Sequence, residues 1–82
     1  MRLPTIHLNG TSRQYLHEEA LAAHRALSAA VDALAAMTVH ARDYYPQGAD
    51  AYAEAAREHR ERIERVRQVL VEVADLCCAL EE

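Results

Sequence analysis

An all-α fold follows from three features: long stretches without Gly or Pro, apolar residues at alternating steps of four and three, and one sharp break between them. The architecture expected is a two-helix antiparallel hairpin with a short extended N-terminal arm. Such a hairpin buries little surface, so it is further expected to assemble into a helical-bundle oligomer. The 82 residues form one helical domain. It divides into an arm (1–10), a first helix (12–41), a connection (42–49) and a second helix (50–80).

The arm, MRLPTIHLNG, combines a proline, a short apolar–polar alternation at Leu3, Ile6 and Leu8, and an Asn-Gly pair. Those features favour extended chain over helix. Thr11 or Ser12 then offers an N-cap, and Glu18 and Glu19 lie toward the positive end of the helix that follows. From Ser12 to Ala41 Ala dominates, and neither Gly nor Pro interrupts. The break is ARDYYPQGAD. Pro46 disfavours helical geometry at Tyr45, Gly48 supplies a flexible joint, and Asp50 or Gly48 caps the second helix.

The register can be written residue by residue. On the first helix the seam is Leu16, Ala20, Ala23, Leu27, Ala30, Leu34, Met37 and Ala41. On the second it is Tyr52, Ala56, His59, Ile63, Val66, Leu70, Val73, Cys77 and Leu80. Folding at the break pairs positions whose numbers sum to about 93, so Ala23 faces Leu70, Ala30 faces Ile63, Leu34 faces His59 and Met37 faces Ala56. Small residues then meet large ones in successive layers, as a close-packed seam requires. His59 is the polar exception, either a polar layer that fixes register or a pH-sensitive layer or base lining a pocket.

The outward faces differ. Residues 54–68 carry charge pairs at i,i+4 spacing (Arg57–Glu61, Glu58–Arg62, Glu61–Arg65), the signature of a solvated face worth only ~0.2–0.5 kcal/mol per pair. The first helix has only Arg25 and Asp32 as formal charges between residues 20 and 41, with Leu21, Val31 and Ala35 beside the seam. Uncovered apolar surface of this kind tends to find a partner, so the first helices are expected at the centre of the assembly.

Composition excludes several classes. Nine Arg against thirteen Asp and Glu give a net charge of −4, which lacks the basic stripe of a general nucleic-acid binder. Neither a signal peptide nor an 18-residue apolar run is present, so secretion and membrane spanning are not expected. Cys77 and Cys78 are adjacent, unsuited to a disulfide with each other or to a closed zinc site, and read as reduced small hydrophobes. His7, His17, His24, His40 and His59 form no i,i+3 or i,i+4 ligand pair, so no metal or cofactor is expected. With no nucleophile–base arrangement and no phosphate loop, there is no catalytic residue to name and the chain is read as a non-enzyme.

Two segments can carry binding. In the connection, Tyr44 and Tyr45 can stack on a planar ligand, Arg42 can take a phosphate or carboxylate, and Gln47 can read an amide or base edge. The same rings can instead cap the open end of the core. At the start of the first helix, Thr11, Ser12 and Arg13 offer hydroxyls, a cation and free backbone N–H groups to an anion, or simply an ordinary N-cap. The two segments lie a helix length apart in one hairpin, and an antiparallel pair of hairpins would bring one chain's arm beside the other's loop.

At Leu8–Ser12 (LNGTS) and Arg42–Gly48 (RDYYPQG), followed by Glu58-His59, the chain resembles a group of small proteins encoded by phages and prophages of GC-rich bacteria. The resemblance spans most of the chain and implies a phage accessory protein acting in the cytoplasm of the host bacterial cell. Short oligomeric helical phage proteins include sponges that sequester nucleotide immune signals, such as the anti-CBASS and anti-Thoeris classes. The expected function is therefore a non-enzymatic, self-assembling binding protein that captures a nucleotide-type signal or another host defence component. Arg42, Tyr44, Tyr45 and Gln47 would hold the ligand, joined by Thr11, Ser12 and Arg13 of a neighbouring chain. The alternative is a structural or adaptor protein that docks a partner protein through its apolar helix faces.

Overall fold

The computed structural model describes residues 1–81. Its elements are α1 (Arg13–Ala35), 3₁₀ turns at Ala41–Asp43 and Tyr45–Gln47, and α2 (Ala51–Leu80). The described residues contain no strand, and α1 packs against α2 as an antiparallel hairpin.

Ser12 starts α1. Its backbone is extended (ψ 151°), and its Oγ accepts the Tyr15 N–H at 3.1 Å while its carbonyl accepts the Leu16 N–H. The side-chain bond satisfies one of the helix's unpartnered donors, and the carbonyl takes the first regular helical bond. Ser12→Ala is expected to cost about 1 kcal/mol, which for a domain of this size lowers Tm by about 4–8 °C in a calorimetric melt.

The first helix ends at Ala35, six residues short of the expected Ala41, and the connection runs from Ala36 to Asp50 instead of 42–49. No Gly or Pro marks that stop. The Ala36 N–H still reaches Asp32 O, but Met37 closes tightly onto Leu34 O (3.2 Å), and the β-branched Thr38 and Val39 follow. β-branched residues lose rotamer freedom in a helix and favour extended chain.

Before α2, Gly48 sits at φ +120°, the one positive φ among the described residues and a conformation that suits glycine. Asp50 occupies the cap position without a side-chain cap bond.

The seam follows the pairing sum at its most diagnostic point: the His59 imidazole meets the Leu34 carbonyl at 2.7 Å. On α2 the seam holds from Ala56 to Leu80, whereas Tyr52 is exposed. On α1 it turns partway around the helix. Ala23 is exposed and His24 and Val31 enter the seam, Val31 being one of the most buried residues of the chain, while Met37, beyond the end of α1, is exposed. Alanine contributes too little area to hold a face inward against a neighbouring Val, so the larger side chain takes the seam. The buried apolar cluster, Ala20, Cys77 and Leu80 with Leu16, Leu21, Val73 and Leu76 around it, lies at the open end of the hairpin.

The expected i,i+4 charge pairs are replaced. Among the described residues the ion pair is Arg67–Glu64 at 3.9 Å, and Arg62 turns to His59 instead. The molecule is a rod, 62 × 20 × 17 Å, with a radius of gyration of 18.6 Å, against about 12 Å for a globular chain of this length.

Candidate functional site

The connection is a stiff double turn and not a slack loop. His40 is extended, and its Nδ1 accepts the Arg42 N–H at 3.0 Å, which starts the first 3₁₀ turn. Asp43 N–H then donates to His40 O and Tyr44 N–H to Ala41 O, both at 3.0 Å. In the second turn Gln47 N–H donates to Tyr44 O (2.9 Å) and Gly48 N–H to Tyr45 O (3.2 Å), with Pro46 fixing its own φ. Consecutive backbone bonds constrain the course of these turns, and with it the directions in which their side chains leave the backbone.

Those side chains divide. Tyr44 is half-buried. Tyr45 is 73% exposed beside exposed Arg42 and Gln47. Among the described residues, neither the Arg42 guanidinium nor the Gln47 amide is hydrogen-bonded. The second segment lies at the other end of the rod. Thr11 is exposed, the Ser12 hydroxyl is occupied by its cap bond, and Arg13 is half-buried at its own chain's open end. Within one chain, then, Thr11, Ser12 and Arg13 do not meet Arg42, Tyr44, Tyr45 and Gln47.

Among the described residues, three grooves stand out on the surface. Two adjoin at the open end. One, of about 220 Å³, lies between Leu3, Pro4 and Ile6 of the arm and Arg13, Ala79 and Leu80. The other, of about 500 Å³, is lined by Arg13, Gln14, His17, Leu80 and Glu81. The third runs along α2, floored by Ile63 and Ala35 and rimmed by Arg60, Glu64 and Arg67. Tyr45 lines none of these three.

The arm is shaped at its base by Gly10, whose N–H donates to His7 O at 3.1 Å. A Cβ at that position would stand 2.8 Å from His7 Nε2. The His7 ring lies over Gly10 and would have to swing aside for any larger residue there.

His59 is the residue whose chemistry the periodicity left half-read. Arg62 Nη1 donates to His59 Nδ1 at 2.9 Å, and an arginine has no acceptor to offer. Nδ1 is therefore the bare nitrogen, and Nε2–H donates to Leu34 O. That carbonyl belongs to the last turn of α1, where intrahelical partners run out. His59 is thus a C-cap for α1 supplied by α2, and the i,i+3 placement of Arg62 was the available signal for it.

Among the described residues no three His, Cys, Asp or Glu side chains gather as a metal set, and no helix is long and apolar enough to cross a membrane. Comparison with protein-family models, curated proteins and solved structures finds no match. The functional reading therefore rests on the residues themselves.

Proposed function

We propose that this chain is a non-enzymatic binding protein, of phage origin, that works as an assembly of hairpins and captures a planar, anionic, nucleotide-type signal on its connection. The observation that carries the reading is Tyr45, a large ring left 73% exposed on a backbone-locked turn, flanked by free Arg42 and Gln47. A π-face, a planar cation and an amide on one rigid turn match a base, a phosphate and a base edge. Tyr44 acts as the anchor that seats the turn. The phage attribution is supported by the resemblance of Leu8–Ser12 and Arg42–Gly48.

Calorimetry against cyclic dinucleotides and cyclic ADP-ribose isomers tests it. Tyr45→Ala should abolish binding and leave the melting temperature unchanged, whereas Tyr44→Ala should lower stability by about 1–3 kcal/mol for loss of a partly buried ring. Absence of binding to every one of these ligands removes the nucleotide reading.

Self-assembly is supported by surface area. A folded monomer of 9.2 kDa exposes about 4,900 Å², while this chain exposes 6297 Å². The excess, to which the exposed arm contributes, is larger than the roughly 800 Å² per partner of a standard interface. Ala22, Ala26, Ala29, Ala33 and Ala36 are all exposed, at alternating steps of four and three on the side of α1 away from α2. Side chains this small let helices approach closely, which suits α1 against the α1 of a second copy. An antiparallel pair would set the arm of one chain beside the connection of the other.

The same alanine face favours a second reading, an adaptor that docks a partner protein's helix. It differs in expecting a monomer in isolation and no small-molecule shift of the melting temperature.

A further inference from the structure

Two histidines brace the end of the hairpin that carries the connection, and both do so as acceptors. His40 Nδ1 receives the Arg42 N–H at 3.0 Å and starts the first 3₁₀ turn. His59 Nδ1 receives Arg62 Nη1 at 2.9 Å, while its Nε2–H holds Leu34 O at 2.7 Å, in the last turn of α1. A backbone amide and a guanidinium can only donate. In both rings, then, Nδ1 is bare and the proton sits on Nε2.

Imidazole is the side chain whose charge changes between about pH 5 and 8. Once protonated it has two N–H donors and no acceptor. Each ring would then set an N–H against another donor, and His59 would also set a second positive charge against Arg62. Neither bond survives that change. The bond to Leu34 O does survive, because Nε2–H remains a donor and a carbonyl at the C-terminal end of a helix favours a positive charge. Acid therefore removes the two bonds that fix the arginine groups and keeps the one that joins the helices. Arg62 is exposed and can turn into solvent, where Glu58 lies one helical turn away. The acids on the surrounding elements are Asp32 of α1, Asp43 and Asp50 of the connection, and Glu54 and Glu58 of α2, all exposed. Among the described residues none of them is paired with His40, His59, Arg42 or Arg62, the ion pair being Arg67–Glu64.

We propose that the connection end of the hairpin is a proton-operated switch, braced at neutral pH and loosened in mild acid as His40 and His59 give up Arg42 and Arg62, with the hairpin intact. Its use rests on the connection being the binding site: Arg42 lies on the turn that His40 starts and Tyr45 opens the next, so a ligand held there would be released on acidification.

The test needs no ligand, so its failure is distinguishable from failure of the nucleotide reading. Ring and amide ¹H–¹⁵N spectra of the full chain are followed from about pH 7.5 to about pH 5.5. At the upper end both rings should carry their proton on Nε2 alone. As each ring takes up its second proton, the Arg42 amide and the Arg62 side-chain resonances should move with the midpoint of the ring beside them. Arg42 amide exchange, corrected for the intrinsic effect of pH, should quicken about fivefold, with helical circular dichroism unchanged. His40→Asn, whose amide oxygen accepts at any pH, should hold the Arg42 amide still, and His59→Gln should do the same for the Arg62 side chain. A proton on Nδ1 at neutral pH, a ring still uncharged at about pH 5.5, or an arginine resonance that ignores its ring would each overturn the proposal. So would the native response persisting in His40→Asn, or helicity lost in step with the titration.

Discussion

His59→Ala is expected to destabilise the protein by about 2–3 kcal/mol, among the larger effects available to a single exposed-or-buried side chain here. The imidazole is only 8% exposed and bridges Leu34 O and Arg62 across the seam. Its removal takes the tertiary donor from a carbonyl at the end of α1 and leaves a gap between the helices. The carbonyl keeps the longer Met37 N–H contact at 3.2 Å, which places the expected loss within the range for one buried hydrogen bond plus a modest cavity. For a domain of this size that corresponds to a fall in Tm of more than about 10 °C. His59→Gln, which can offer both a donor and an acceptor, should recover part of it. Long-range ¹H–¹⁵N spectra should show the proton on Nε2 and none on Nδ1. A His59→Leu variant as stable as the native chain would show that the bridge contributes only its bulk.

The second large effect is on assembly. Ala26→Glu combined with Ala29→Glu places like charges on the exposed face of α1, two positions that contribute nothing to the seam within the hairpin. Buried in a two-fold interface, unpaired carboxylates cost several kcal/mol, so self-association should weaken by at least about a hundredfold. Sedimentation velocity at tens of micromolar is the measurement. The native chain should sediment as an oligomer, and the double variant as a folded monomer with unchanged helicity. A monomeric native chain under these conditions would remove the assembly and leave the adaptor reading in its place.

The hairpin itself was readable from periodicity because α2 carries large apolar residues at nearly every seam position, and the connection because Pro46 and Gly48 mark it. The pairing sum holds at His59 against Leu34, whereas Ala23 and Met37, expected opposite Leu70 and Ala56, are exposed. Two features were less accessible. The end of α1 is set partly by a contact from a residue twenty-five positions away and partly by the weak local signal of Thr38 and Val39, with no Gly or Pro to mark it. The rotation of the α1 seam toward Val31 arises because an alanine-rich helix has several faces of nearly equal apolarity, and the choice among them falls to the partner helix. At the candidate site, the sequence names Tyr44 and Tyr45 alike. Only the packing separates a half-buried anchor from an exposed ring.

The location of the buried apolar cluster bears on how the chain folds. In an antiparallel hairpin, contacts nearest the connection close the shortest loops, and each lengthening of the loop adds only a logarithmic entropy cost. Zipping should therefore begin near His59 and Leu34 and run outward. Ala20, Cys77 and Leu80, the buried apolar cluster, lie at the far end of that path. Much of the favourable burial arrives with the last contacts formed, which disfavours half-zipped intermediates and makes a rod of two helices unfold as one cooperative unit. Amide exchange should accordingly be slow at the open end as well as beside the turn, without the gradual fraying expected of a uniform helical zipper.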